Sequence, residues 1–149
     1  MTHVIHPIAR TEPRALLRRI ARHVPFATGR IVLARVRLAR GYVDEVAWFQ
    51  VPTPREESLG LTGVRSRLDA AFEQVLPSGR GKATGFALAI VVCRNGHVVW
   101  SVVDEPWLEA LARLCEQHHV SIEQAFLVTE HGWRCYSDDT AGTTPALAA

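Results

Sequence analysis

Two cysteines and three histidines in the last third of the chain have the ligand types of a zinc site. Cys115 is followed by His118 and His119, and three residues separate His131 from Cys135. Thiolate sulfur and imidazole nitrogen are common zinc donors, and a zinc-bound water would support hydrolysis. Histidines are also typical of helix ends and small thiols of packed cores, where neither needs a metal. A metal-dependent hydrolase-like enzyme is therefore one hypothesis.

Motifs of nucleophilic catalysis are absent from the chain. It contains no Gly-x-Ser-x-Gly and no Cys-x-x-Cys, and its glycine-rich stretch around Lys82 lacks the pattern of a P-loop. Asp104 is expected to cap a helix rather than to act as an acid or a base. We therefore predict no catalytic residue and no cofactor, and we interpret the chain as a non-catalytic binding or adaptor module.

Arginines dominate the first 40 residues and offer a different chemistry. This part holds nine arginines and one acidic residue, whereas residues 41–149 hold 8 basic and 14 acidic residues. Guanidinium groups along one surface bind phosphates, and a neighbouring aromatic ring stacks on a base. The sequence therefore predicts an interface for nucleic acid, another polyanion or an acidic partner; the alternative is a solvated face that nearby carboxylates partly neutralise. The predicted interface consists of Arg14, Arg18, Arg22, Arg35, Arg37 and Trp48.

Hydrophobic periodicity predicts a helix before each of three hairpins. Thr11 is the predicted N-cap of the first helix. In the first hairpin a two-residue loop at 40–41 would place Leu33 opposite Trp48. The predicted helices are 13–24, 62–76 and one that begins at Asp104; the predicted hairpins are 30–51, 86–103 with a turn at Asn95-Gly96, and about 124–137 with a turn at His131-Gly132.

The three helix-and-hairpin segments are also similar to one another. When the second hairpin is shifted by 36 residues, Gly96 coincides with Gly132 and an aromatic residue follows four positions later in both. We therefore predict an α+β fold of three αββ units, with an antiparallel-rich sheet and helices packed on one face. The domain is expected to span residues 1–138, followed by a flexible tail at 139–149.

Composition favours a globular, cytoplasmic protein. A chain of 149 residues, 48% hydrophobic and 21% charged, is suited to one domain. Three cysteines that cannot all pair and the lack of a secretory signal pattern predict a reducing cytoplasm. No apolar run is long enough to span a bilayer, so no membrane partner is predicted. Lys82 is the only lysine, and this bias indicates a GC-rich genome such as an actinobacterium's.

Two parts of the chain resemble known families. Residues 105–139, with Leu127-Val-Thr-Glu-His-Gly-Trp-Arg-Cys-Tyr-Ser137, resemble the C-terminal part of an uncharacterised actinobacterial domain family that carries no known activity. Ser101-Val-Val-Asp104 resembles the Ser-x-x-Asp motif of the JAB/RadC-like metalloprotease fold. Val91 and Cys93 occupy the positions of that family's two histidines. The second resemblance therefore implies a degenerate JAB-like domain without zinc ligands.

Strand edges and the C-terminal residues indicate protein partners. Edge strands and aromatic residues that are expected to be exposed, such as Trp48 and Trp133, favour self-association, so a homo-oligomeric structural protein is a further alternative. Ala146-Leu-Ala-Ala149 is similar to the end of the bacterial tmRNA degradation tag. That similarity implies a ClpX-type unfoldase as partner, and an ordinary alanine-rich tail is the alternative.

Overall fold

A computed structural model describes residues 5–51, 62–76, 85–138 and 140–148. Within these ranges the chain forms three helices and six strands. They are α1 (Pro13–Ala21), β1 (Arg30–Arg37), β2 (Tyr42–Gln50), α2 (Thr62–Val75), β3 (Phe86–Cys93), α3 (Glu105–Gln117), β4 (Ser121–Thr129), β5 (Gly132–Cys135) and β6 (Ala141–Gly142). The first and last predicted hairpins are confirmed as β1–β2 and β4–β5.

All six strands belong to one mixed sheet with the order β2-β1-β3-β4-β5-β6. β3 and β4 are parallel and are connected through α3, whereas the other neighbouring pairs are antiparallel. The predicted α+β class and the antiparallel-rich sheet are thereby confirmed. All eight residues of β3 are buried, and a strand of this kind needs cover on both faces of the sheet.

Helices cover both faces, so the prediction that they pack on one face is wrong. Alternate residues of a strand point to opposite sides. Val32 of β1 lies in one buried cluster with Leu17 of α1, and we call this side the α1 face. Leu33 lies in a second cluster with Phe72 of α2 and Leu111 of α3, and we call that side the α2–α3 face.

The second predicted hairpin is wrong beyond its first strand. β3 ends at Cys93, and residues 94–104 form bends and turns before α3 begins. The chain does bend at Asn95-Gly96, but β1 and β4 already occupy the two edges of β3. A returning strand would therefore have no edge to pair with. The unit after α2 contains one strand, so the chain does not consist of three αββ units.

An ion pair between Arg94 and Asp104 holds together the connection between β3 and α3, where the second hairpin was predicted. Arg94 Nε donates to Asp104 Oδ1 at 2.8 Å, and Nη2 donates to Oδ2 at 3.0 Å. The same guanidinium donates to the carbonyl oxygens of Asn95, His97 and Val99. The Asp104 side chain is only 2% exposed, so its carboxylate is solvated by protein hydrogen-bond donors, mainly this guanidinium, rather than by water.

The Asp104 side chain does not form the predicted helix cap. Asp104 stands at the N-cap of α3, but its side chain accepts no hydrogen bond from that helix. Oδ2 accepts the backbone N–H of Ser101 at 3.0 Å instead, and the Asp104 N–H donates to the Ser101 carbonyl at 3.0 Å. The Ser-x-x-Asp segment is therefore a closed turn in front of α3.

The last described residues belong to the domain rather than to a separate tail at 139–149. β6 pairs with β5, the Leu147 N–H donates to the Thr129 carbonyl at 3.1 Å, and the Ala148 N–H donates to the Phe26 carbonyl at 2.8 Å. The Leu147 side chain also packs against the α1-face cluster. The described residues from Thr140 to Ala148 therefore pack against the sheet.

A hydrogen bond from the buried Trp133 side chain holds the C-terminal segment against the sheet. Trp133 is 1% exposed, so its predicted exposure is wrong. The indole Nε1–H donates to the Thr144 carbonyl at 2.9 Å, and its ring meets Phe126 edge-on with centroids 6.1 Å apart. A buried indole N–H needs a partner, and the C-terminal segment supplies it. Ala149, the end of the predicted degradation tag, lies outside the described residues.

We expect Arg94→Met to lower the free energy of unfolding by about 3–5 kcal/mol, because it leaves a buried carboxylate without its partner. Arg113→Met is the matched control, since Arg113 is exposed on α3 and its loss should change stability by less than about 0.5 kcal/mol. Urea unfolding followed by circular dichroism measures both variants. Equal losses in the two would contradict the role of the ion pair.

The contact between β5 and β6 predicts a difference between two glycine substitutions. A Cβ added to Gly132 (φ +129) would overlap the Gly142 carbonyl oxygen, whereas one added to Gly85 (φ +84) would have nothing within 4 Å. Gly85→Ala should cost about 1–2 kcal/mol through its backbone conformation alone. Gly132→Ala should cost clearly more in thermal unfolding, because β6 must also move. Similar costs would show that β6 does not lie against Gly132.

Candidate functional site

Glu12 caps the start of α1, the helix that carries the predicted arginine stripe. The Glu12 carboxylate accepts the backbone N–H groups of Arg14 at 3.1 Å and Ala15 at 2.7 Å. Glu12 rather than the predicted Thr11 is therefore the N-cap. The Thr11 N–H donates to the Glu123 carboxylate of β4 at 2.8 Å, which fixes the start of the helix on the sheet.

Three arginines lie on the outward side of α1. Arg14, Arg18 and Arg22 are all exposed, and we call them the arginine row. Neighbouring members are four residues apart, which gives about 6 Å along the helix axis and keeps them on one side. None of the three guanidinium groups forms an ion pair or a hydrogen bond with any residue in the described ranges. They are therefore available to an external anion.

Two side chains of α1 and its C-terminal turn fasten the helix to the β1–β2 hairpin. Arg19 Nη1 donates to the Gly41 carbonyl at 2.5 Å. His23 Nε2 lies 3.2 Å from the Val43 carbonyl oxygen of β2. These contacts set the position of the arginine row relative to β2, the edge strand of the sheet.

The other two predicted arginines lie on the opposite side of the sheet. Arg35 and Arg37 alternate in phase with Leu33, which belongs to the α2–α3 face. Asp44 accepts Arg35 Nε at 2.7 Å and Arg37 Nε at 2.5 Å. Arg35 Nη1 also donates to the Val75 carbonyl at the end of α2, at 3.1 Å. These two arginines therefore hold the hairpin and α2 together.

The predicted interface is thus divided by the sheet. Asp44 sits where the β1–β2 register shifts by one residue, and this bulge lets one carboxylate reach two arginines. Burial alone would raise the pKa of Asp44, but the hydrogen bonds and charges of Arg35 and Arg37 outweigh it and hold the pKa below its usual range. Asp44 partly neutralises both arginines, so we remove them from the candidate site.

Trp48 lies on the α1 face, not beside Arg35 and Arg37. It pairs with Val32, which is buried beneath α1. The sequence-based register, with Leu33 opposite Trp48, is wrong by one residue, and such a slip transfers a side chain to the other face. The Trp48 side chain is 49% exposed. The candidate site therefore consists of the arginine row and Trp48.

Arg30 is a residue that the sequence analysis missed. Its Cζ lies 3.9 Å from the centroid of the Trp48 ring, and its Nη1 donates to the Pro25 carbonyl at 2.7 Å. Arg30 pairs with Gln50 and is thus a diagonal neighbour of Trp48, a relation in which long side chains meet. The correct strand register would have revealed this contact.

The four candidate zinc ligands do not meet. Cys115 lies in the cluster on the α2–α3 face and Cys135 in the cluster on the α1 face, so the sheet separates them. His118 and His131 are exposed. Burial raises the pKa of Cys115 to about 12, which favours the neutral thiol over the metal-binding thiolate. In the part of the chain that the structure describes, no three metal-binding side chains gather, so this ligand set is wrong.

The positions that match the JAB/RadC-like histidines are equally unsuited to a metal. Val91 and Cys93 are buried beneath α1, where burial raises the pKa of Cys93 to about 12. The Asp104 carboxylate is held by Arg94. No described residue at these positions therefore offers a free ligand.

An apolar cavity of about 340 Å³ opens at the carboxyl end of β3. Ile31, Val92 and Trp107 contribute to its lining, together with Arg94 and Asp104. These two charged residues bind each other, which leaves the cavity largely apolar.

No protein-family model, curated protein or solved structure matches the chain. The functional inference therefore depends on the geometry of the chain's own residues. None of the described helices has the length and apolar character needed to cross a membrane. Cytoplasmic location, self-association and a ClpX-type partner stay predictions.

The pairing of Asp44 predicts a pH dependence of stability. Its folded-state pKa is lower than the ordinary value of 3.8, so the pairing stabilises the fold above that value and loses its effect as the pH falls through the folded value. Asp44→Asn should therefore be less stable than the wild type at pH 7, and the difference should shrink as the pH falls below 3.8 and through the lowered folded-state pKa. Urea unfolding at several pH values measures it. A difference independent of pH would contradict the pairing.

Proposed function

We propose that this chain is a non-catalytic module that binds the phosphate backbone of nucleic acid through the arginine row on α1. The observation that carries the proposal is the contrast between two sets of arginines. Arg35 and Arg37 share a carboxylate inside the fold, whereas the arginine row has no acidic partner among the described residues. Unpaired guanidinium groups are the ones that gain most from meeting a phosphate.

The local charge of α1 supports an anionic partner. Glu12 is the only acidic residue among the first 40, and both of its carboxylate oxygens accept backbone N–H groups of α1. A guanidinium binds phosphate through two parallel hydrogen bonds, which adds direction to the attraction between charges. Neutralising the phosphates also releases counterions from the nucleic acid, and this release favours binding at low salt.

The packing of α1 supports a rigid presentation of the row. Leu16, Leu17 and Ile20 have no exposed surface, and Arg19 and His23 connect α1 to the β1–β2 hairpin. The helix backbone is thus ordered before any ligand arrives. Binding then has to order only the arginine side chains, which limits its entropic cost.

The triple variant Arg14→Ala, Arg18→Ala, Arg22→Ala should lose most of its affinity for a labelled single-stranded oligonucleotide. Fluorescence anisotropy between about 50 and 200 mM salt gives the slope of log K against log salt concentration. Because each neutralised phosphate of a single strand contributes roughly 0.7 to that slope, losing three contacts should reduce it by about 2. Wild-type binding that is undetectable or independent of salt would reject the proposed function.

Matched substitutions distinguish binding by the arginine row from a general effect of positive charge. Arg18→Ala and Arg113→Ala each remove one exposed helical arginine, but only Arg18 belongs to the row. Arg18→Ala should weaken binding and Arg113→Ala should not. Replacing the three row arginines by lysine should keep most of the salt dependence, because lysine retains the positive charge. Equal effects of the two single variants would show that net charge, rather than α1, determines binding.

A further inference from the structure

We infer that the nucleic acid bound is a single strand, with one unpaired base stacked on Trp48. This inference rests on the proposed function, because it requires phosphates on the arginine row. It is carried by an exposed indole at the C-terminal end of that row, on the same face of the sheet.

Two contacts and a short segment of chain place Trp48 near the end of α1. The helix ends at Ala21 with Arg22 as its C-cap, and three residues further on the Pro25 carbonyl accepts Arg30 Nη1 at 2.7 Å. The Arg30 guanidinium in turn lies 3.9 Å from the centre of the indole. Three residues span at most about 11 Å. The indole is therefore close enough to the end of the row for one strand to contact both.

Arg30 holds the indole ring of Trp48 in one orientation. Its guanidinium is held by Pro25 on one side and stacks on the indole on the other, which restricts rotation of the Trp48 side chain. Trp48 as a whole is 49% exposed, and a stacked base would use the ring face opposite Arg30. The positive charge beside the ring also favours an anionic strand.

The indole can stack only on a base whose flat face is accessible, and this condition favours a single strand over a duplex. In a duplex each base is paired and stacked between its neighbours, so its flat face is hidden unless the base is flipped out. A single strand exposes these faces, and stacking on an aromatic side chain tolerates any of the bases. The combination of arginines along a line and an indole at its end therefore fits a single strand with little sequence preference.

Trp48→Ala should weaken binding of a single-stranded oligonucleotide by about 5- to 150-fold, the loss expected for one stacked base. The slope of affinity against salt should stay unchanged, because no phosphate contact is removed. Affinity for the duplex of the same sequence should also stay unchanged. Trp48→Phe should recover part of the lost affinity, since it keeps an aromatic face.

Tyr42→Ala is the matched control. Tyr42 lies on the same strand with a similar exposure, 47% against 49% for Trp48. It pairs with Arg37 and therefore faces the opposite side of the sheet. Its removal should leave single-strand affinity unchanged.

The outcomes distinguish this inference from the proposed function. Wild-type affinity in Trp48→Ala, together with a loss in the triple arginine variant, would overturn base stacking and leave phosphate binding intact. If the wild type bound a single strand, a duplex and the sulfated polysaccharide heparin with equal affinity, base stacking would also be overturned, because heparin has no bases. Wild-type affinity in the triple arginine variant would overturn both.

Discussion

The buried ion pair between Arg94 and Asp104 holds the connection at the centre of the sheet. The carboxylate is almost fully buried, so the chain after β3 has to fold where Arg94 reaches it. The compact connection leads into α3 and then into β4, which pairs in parallel with β3. β3 is thereby enclosed between β1 and β4 and requires cover on both faces. α1 covers one face, and its outward side carries the arginine row.

Arginines serve two different purposes in this chain, and only their partners distinguish them. Arg35, Arg37 and Arg94 are partly buried and bind Asp44 or Asp104. Removing Arg94 would leave Asp104 without its ion-pair partner, and removing Arg35 or Arg37 would take one of the two partners of Asp44, so their effect is on stability. The arginine row has no such partner among the described residues, so its effect is expected on ligand binding. A count of basic residues in the first 40 positions does not distinguish Arg35 and Arg37 from the arginine row.

Local patterns in the sequence were sufficient for the α+β class and for two of the three hairpins, because each depends on neighbouring residues. The second hairpin was wrong because the Asn95-Gly96 signal is local, whereas the edges of β3 are occupied by distant strands. The predicted interface is only partly correct for a similar reason, because Arg35 and Arg37 lie on the opposite face of the sheet from Trp48. A one-residue bulge at Asp44 has no clear signature in the sequence, yet it sets the register that places Trp48 on the α1 face. The docked C-terminal segment depends on Trp133, whose partner lies eleven residues away.

Nuclear magnetic resonance of the protein during titration with a single-stranded oligonucleotide tests the central claim most directly. Arginine Nε–Hε and tryptophan indole resonances report each side chain separately. The account predicts that the signals of the arginine row and of the Trp48 indole shift together and saturate at the same oligonucleotide concentration, while those of Arg35, Arg37 and Trp133 stay in place. Shifts centred on the α2–α3 face, or spread evenly over all arginines, would contradict it.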